Sequence, residues 1–250
     1  MGRLSYLVSG ISEAGLIKET NEDSFVYKVV HTGDRYAGIF AVADGVGGLE
    51  RGEVASAFAI SEINKWWESE FKSHFDQRDY LAASLVDVFR KINDALIQYG
   101  KGNGMKTGTT LTVLLLIDET AIVSHVGDSR LYRLSGFPAK RFFQVTTDHS
   151  CMIEAIRDGQ KYLKSVLTDC LSNKETFSIY TDLFEVRRNE TFVISSDGIY
   201  KTISSAKLAD IVRKHGEDVE KMCEEMIVTA KNNKETDNLS VIAVRTVGSK

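Results

Sequence analysis

Five short motifs put an aspartate at a turn or strand end in company with glycine or asparagine. They are Asn21-Glu22-Asp23, Asp44-Gly45-Val46-Gly47-Gly48, Gly127-Asp128-Ser129-Arg130, Ser196-Asp197-Gly198 and Asp237-Asn238. Oxygen-only ligands suit hard cations such as Mg2+ and Mn2+, which keep several waters and take few carboxylates each. The absence of cysteine or histidine clusters argues against zinc. Several carboxylates gathered at one spot repel one another unless cations neutralise them, and an adjacent glycine lets the backbone approach an ion. Two such ions can clamp an in-line phosphoryl displacement. Taken alone, any one of these motifs is turn chemistry, because Asp-Gly and Asp-Asn are common turn dipeptides. The signal is their joint appearance in order, each after a β-rich run.

Those runs must position the aspartates. Leu4 to Ile11, Ser24 to Val30 and Tyr36 to Ala43 predict strands, the last almost continuously apolar and therefore buried, ending at Asp44. Ala55, Ala59, Ile63 and Trp66 recur at helical spacing, as do Leu81, Leu85, Phe89, Ile92, Leu96 and Tyr99. Strands are predicted again over Gly108 to Ile117, Thr120 to Val126 and Leu131 to Leu134, and a short helical stretch from Ser150 to Asp158. A strand from Thr191 to Ser196 leads to Asp197. Val219, Met222, Cys223, Met226, Ile227 and Ala230 then form an amphipathic helix before a last strand, Leu239 to Val244. Clustered strands with paired helices between them predict an α+β fold of antiparallel sheets covered by helices, not a doubly wound parallel sheet.

Composition narrows the classes further. With 43% hydrophobic and 26% charged residues and a formal charge of -4, the chain has the profile of a globular protein and no basic excess for nucleic acid. A single proline, Pro138, and no Ser/Gly-rich or charge-blocked stretch leave no linker, so residues 1–250 are expected to form one domain. Cys151, Cys170 and Cys223 form no CxxC pair, which suits a reducing cytoplasm. The start, Met1-Gly2-Arg3-Leu4-Ser5, lacks a signal-peptide core, and no window approaches about 18 uninterrupted apolar residues, so neither export nor a membrane span is expected.

The ordered motifs resemble the metal-dependent protein phosphatases of the type 2C class, particularly the compact bacterial ones. Lys18-Glu19-Thr20-Asn21-Glu22-Asp23-Ser24 looks like the opening motif. Val42-Ala43-Asp44-Gly45-Val46-Gly47-Gly48, running on to Gly52-Glu53-Val54-Ala55-Ser56, matches the most specific stretch. Gly108-Thr109-Thr110, Val126-Gly127-Asp128-Ser129-Arg130-Leu131-Tyr132, Thr147-Asp148-His149-Ser150, Ser195-Ser196-Asp197-Gly198 and Asp237-Asn238-Leu239-Ser240 follow in family order. Nearly the whole chain is covered. The resemblance implies a four-layer αββα sandwich, two central antiparallel sheets flanked by helices. It also implies hydrolysis of phosphoserine and phosphothreonine in proteins by a hydroxide bridging two Mg2+ or Mn2+ ions. Asp44 would bridge the ions, the Gly45 carbonyl would bind one of them, and Asp197 and Asp237 would complete the other site, these three aspartates being the catalytic set. Glu22 and Asp23 would hold metal-bound waters, and Asp128 with Asp197 would hold a weaker third ion. Implied partners are phosphorylated protein substrates and an opposing serine/threonine kinase, with the chain a cytoplasmic monomer.

Several positions depart from the family pattern. Lys18 stands where relatives usually carry a phosphate-binding arginine; it keeps the charge but loses the bidentate fork. Val46 stands where some relatives have a histidine general acid, which leaves water to protonate the leaving group. The connection after His149 looks abbreviated against the relatives' mobile flap, and Ser172 ends Val166-Leu167-Thr168-Asp169-Cys170-Leu171-Ser172 where glycine is usual. His149 is expected to hydrogen-bond across a turn, Cys151 to be packed in the interior, and Arg130 either to brace Asp128 or to cap a strand. His31, His74, His125 and His215 form no pattern. Asp44 to Gly48 also resembles the Asp-x-Gly-x-Gly nucleotide box of histidine-kinase-type ATPases, but no Asn box precedes it and Asp197 and Asp237 go unexplained. A catalytically weak binding or regulatory module of the same fold is the other alternative.

Overall fold

The computed structural model describes residues 4–33, 35–46, 49–136, 140–157, 160–172 and 174–248. Met1 to Arg3, Gly47, Gly48, Pro138 and Asp158 of the sequence reading lie outside them. Strands β1 (Leu4–Glu13), β2 (Asp23–Thr32) and β3 (Arg35–Asp44) come first. Helix α1 (Gly52–Trp66) continues through a π-helical turn (Trp67–Phe71) into the short α2 (Lys72–His74) and is followed by the long α3 (Arg78–Asn103). Next are β4 (Leu111–Ile117), β5 (Thr120–Val126), β6 (Arg130–Leu134), β7 (Phe142–Gln144), β8 (Ser150–Arg157) and β9 (Gln160–Leu167). After β10 (Tyr180–Glu185) and β11 (Thr191–Ser195) come α4 (Asp197–Tyr200), α5 (Ser205–His215), α6 (Val219–Asn232) and β12 (Leu239–Gly248).

The strands form two five-stranded sheets, ordered β1-β12-β11-β6-β7 and β10-β5-β4-β3-β2, and a separate β8-β9 pair. Every pairing between these strands is antiparallel. Alternation along β3 shows how the layers stack. Ala37, Ile39, Ala41 and Ala43 pack with α1 and α3, whereas Phe40 and Val42 point the other way, against Phe192, Ile194 and Ile242 of the opposite sheet. On the far side, Val193, Leu239, Val241 and Ala243 meet Leu208, Ile211, Met222 and Met226 of α5 and α6. The order is helices, sheet, sheet, helices, the four-layer αββα sandwich expected. Because β3 is covered on both faces its sequence is a continuous apolar run.

The helices follow from their apolar stripes and caps. Leu81, Leu85, Phe89, Ile92 and Leu96 of α3 are buried, each such side chain contributing about 1.5–3 kcal/mol, while Tyr99 stays exposed at the rim. Gly104 ends α3 in the left-handed conformation, as a C-terminal glycine does. Ser204 and Asp218 cap α5 and α6 by accepting from the amides of Lys207 and Lys221.

Of the stretch expected to be helical, the described residues Ser150 to Arg157 are not helical. β8 runs from Ser150 to Arg157 and pairs with β9 from Ser150 opposite Leu167 to Arg157 opposite Gln160. Backbone pairing within this ribbon replaces the intrahelical bonds, and the segment after His149 is a hairpin. Cys151, expected in the interior, is exposed on it.

Candidate metal centre

Antiparallel register brings the aspartates together. β2 starts at Asp23 and β3 ends at Asp44, and the two residues are direct partners in the ladder. In the other sheet β11 ends at Ser195, opposite Val241 near the start of β12, so Asp197 and Asp237 project from neighbouring strand ends. Asp128 lies in the turn that carries the chain from β5 in one sheet to β6 in the other. One open pocket of about 400 Å³ is lined by Asp44, Gly45, Val46, Thr110, Asp128, Asp197, Lys201 and Asp237, with Lys164 to Leu167 of β9 forming another wall. A larger cleft of about 730 Å³ near the end of α3 contains lysines and glutamates but none of these aspartates.

Hydrogen bonds fix each strand end. The Asp44 amide donates to Thr110 Oγ1 at 3.0 Å, and its carbonyl accepts from the Thr110 amide at 2.8 Å and Thr109 Oγ1 at 2.9 Å. The Gly45 amide donates to the Glu22 carbonyl at 3.1 Å. A Cβ on Gly45 would come within 2.7 Å of that carbonyl and 2.6 Å of the Gly52 backbone, so only glycine fits there. Asn238 bolts the 14–22 segment to β12: its Nδ2 donates to the carbonyls of Ala14 and Thr20, and its Oδ1 accepts from the Glu22 amide at 3.0 Å. Ser196 joins the two sheets, its hydroxyl donating to Asp23 Oδ2 at 2.8 Å and accepting from the Ser240 amide at 3.0 Å.

Electrostatics follow from that crowding. Burial, then Asp23, Asp197, Asp128 and Asp237, hold the Asp44 carboxyl well above the ordinary carboxylate range. Burial pushes Asp23 up to about 6, with hydrogen bonds from Ser240 and Ser196 pulling the other way and Asp197 adding to the rise. Burial and then Asp197 push Asp128 up to about 7 against the pull of Lys201. Asp197 is raised by burial despite Lys201, whose Nζ lies 2.5 Å from its Oδ2 and 3.4 Å from Asp237 Oδ2.

These donors fit divalent cations. All are oxygens, Asp23 Oδ1 is buried with no hydrogen-bond partner, and like charges face one another in register, a destabilising arrangement that a cation relieves. Among the described residues no group of three or more His, Cys, Asp or Glu side chains is close enough together to hold a metal ion by itself. Mg2+ and Mn2+ do not require one, since waters complete their coordination.

The structure thus gathers Asp23, Asp44, Gly45, Asp128, Asp197 and Asp237 at one end of the sandwich. Lys18 is beside them, 3.4 Å from Glu22 Oε2 and 3.5 Å from Asp237 Oδ1. Burial opposes its charge, but Asp237 and Glu22 outweigh that and raise its pKa. His149 Nδ1 accepts from the Gly127 amide at 3.3 Å, the cross-turn role expected of it. Of its two expected roles Arg130 takes the strand-end one: it opens β6, where it grips Asp148 through Nε and Nη2 and stacks over Tyr200 at 3.5 Å. Tyr200 in turn donates to the Asp128 carbonyl at 2.8 Å, so Arg130 reaches that turn only indirectly. Sequence reasoning misses Lys201, Ser196 and the bracing role of Asn238. Lys201 has a visible cue, its place four residues after Asp197 in a turn that can wind into a helix.

A two-sheet αββα sandwich whose strand ends converge on a pocket of carboxylates suits the class of hydrolases that work with divalent cations, phosphoester hydrolases among them. Within that class, the chain belongs to the protein phosphatase 2C family, whose sequence profile matches residues 18–241. Members are metal-dependent serine/threonine protein phosphatases that use Mg2+ or Mn2+. The chain is 28% identical over 237 residues to protein phosphatase PhpP of Streptococcus pneumoniae, covering 91% of this chain and 92% of PhpP. It is 26% identical over 245 residues to serine/threonine phosphatase stp of Listeria innocua, covering 93% of each. The catalytic domain of the phosphatase PstP in complex with two manganese ions superposes with a TM-score of 0.74 at 22% identity, over 98% of this chain and 99% of that one, a likeness of fold.

Proposed function

We propose that this chain, acting as one unit, hydrolyses phosphoserine and phosphothreonine esters of other proteins at the pocket between the two sheets. The observation that carries the reading is the register: Asp23 stands directly opposite Asp44, and both sheets deliver further aspartates to the same end. Asp44, the Gly45 carbonyl, Asp197 and Asp237 would hold two Mg2+ or Mn2+ ions, with Asp128 contributing charge from the β5–β6 turn and Glu22 and Asp23 supporting from beneath. When bound, the ions supply Lewis acidity toward the phosphoryl group and acidify water near neutral pH. Asp44 is held for its role by the buried β3 run and by the Thr109 and Thr110 hydrogen bonds. Lys18, on the loop that Asn238 anchors, draws the phosphate dianion toward the pocket as a point charge. Val46 offers no proton, so the leaving alkoxide is protonated by water.

Phosphoserine in a protein is the product of a protein kinase, so an opposing serine/threonine kinase is the implied partner in signalling. Three free cysteines support a reducing compartment such as the cytoplasm. Among the described residues no helix is long and apolar enough to cross a membrane. The direct test is phosphate release from a phosphoserine peptide with Mn2+, with excess chelator, and after Mn2+ is restored. Activity should appear, vanish and return; full turnover in excess chelator would exclude the metal mechanism.

A further inference from the structure

Lys201 places a positive charge among the aspartates. Its ammonium bonds Asp197 at 2.5 Å, reaches Asp237 at 3.4 Å and lines the same pocket as Asp44 and Asp128. The lysine gets there by construction. It follows Asp197 by four residues at the end of α4, so both side chains leave one side of the turn. Tyr200, immediately before it, ties α4 to the Asp128 carbonyl.

Charge counting gives this position a consequence. Asp23, Asp44, Asp128, Asp197 and Asp237 bring five negative charges when ionised, Lys201 reduces the sum to four, and Lys18 and Glu22 beside them offset each other. Two divalent cations cancel that remainder. A third would carry the pocket past neutrality, and beside Asp197 and Asp128 it would meet the ammonium, which bonds Asp197 Oδ2 and whose charge acts on Asp128. We propose that Lys201 is a built-in cation of the centre, holding the place beside Asp197 and Asp128 that a third divalent ion would take. The chain therefore loads two ions, and Lys201 is a positioning residue that sets the number. This rests on the two-ion reading above.

The test is a count of ions, independent of turnover: Mn2+ bound per chain by calorimetry and by elemental analysis after dialysis. Wild type and Lys201→Arg should saturate at two. Lys201→Asn should bind one more ion with weaker affinity, and the Lys201→Asn/Asp128→Asn double variant should return to two. A third ion in the wild type overturns the proposal. So does a folded Lys201→Asn chain that stays at two, even if it holds those two more tightly. Should Lys201→Asn fail to fold by circular dichroism, Lys201→Met, which keeps the aliphatic stem, is counted by the same criteria. A wild-type count below two refutes the two-ion centre itself; the difference between wild type and variant still judges Lys201, one added ion supporting the proposal and none overturning it.

Discussion

Replacing Asp128 by asparagine should stabilise the metal-free fold, and by more at pH 8 than at pH 5. Asp128 is 8% exposed, in the turn joining the two sheets, and its pKa is pushed from 3.8 up to about 7 by burial and then by Asp197. A carboxyl whose pKa is raised by folding binds its proton more tightly in the folded state, so stability is lost as pH climbs from the unfolded pKa through the folded one. At pH 5 the unfolded group is ionised while the folded one is still protonated, a cost of roughly 2 kcal/mol. Above pH 7 both states are ionised and the full cost, about 4 kcal/mol, applies. Asparagine has nearly the same shape and does not titrate, so the gain on substitution should grow by ~2–3 kcal/mol between these pH values. Relief of Asp44, which Asp128 also raises, adds in the same direction. For a chain of this length the difference corresponds to roughly 4–10 °C in Tm gain. Calorimetric melting of both proteins in excess chelator at pH 5 and pH 8 measures it, and Mn2+ should shrink the advantage at pH 8. An equal gain at both pH values, or a loss at pH 8, would refute the reasoning.

Asp44→Asn keeps the shape but removes a charge and a good ligand oxygen, so it should lose the paired ions and nearly all turnover while remaining folded; calorimetry with phosphopeptide kinetics checks this. Lys18→Ala should chiefly raise KM, with Lys18→Arg tolerated or better than the parent, because the ammonium acts on the bound dianion in the ground state. Unchanged kinetics in Lys18→Ala would make its contacts with Glu22 and Asp237 incidental. Ser172 adopts φ +74°, a left-handed conformation that suits glycine, and its amide bond to Asn93 Oδ1 survives side-chain removal. Ser172→Gly should therefore raise stability by about 0.5–1 kcal/mol in urea titration, net of the added freedom of the unfolded chain.

The legible parts of the fold are those where packing leaves a simple period. β3 reads directly because both faces are buried, and α6 because Val219, Met222, Cys223, Met226, Ile227 and Ala230 make one stripe that is buried as predicted. The β8–β9 ribbon is opaque for the opposite reason. Its sides are covered by no layer of the sandwich, Met152, Ile156 and Leu163 are exposed, and nothing imposes the alternation that separates strand from helix. The usable cue is the Asp158-Gly159 pair between the two runs, a hairpin dipeptide. β10 is similarly faint, an edge strand alternating between half-buried and exposed residues. In the site, aspartates beside glycine announce themselves, whereas Ser196 and Asn238 act through hydrogen bonds to residues 173 and 216 to 224 positions away. Such contacts exist only after both sheets have formed, so no local spacing encodes them.

The same contacts explain how the fold tolerates its own centre. Two carboxylates directly opposite in a ladder repel, and burying them adds desolvation, so the Asp23–Asp44 pair opposes the pairing of β2 with β3. What holds it is apolar burial further along β3, with Ser196, Thr109, Thr110 and Asn238 clamping the strand ends from both sheets. Lys201 offsets part of the repulsion on the Asp197 side but makes no ion pair with Asp23, whose second oxygen has no hydrogen-bond partner. Divalent cations that bind the folded arrangement more strongly than the unfolded chain recover stability by mass action. Cation loading and the final docking of the two sheets at this end are therefore one coupled equilibrium, in which neutralising an aspartate can strengthen the metal-free fold while weakening the centre it serves.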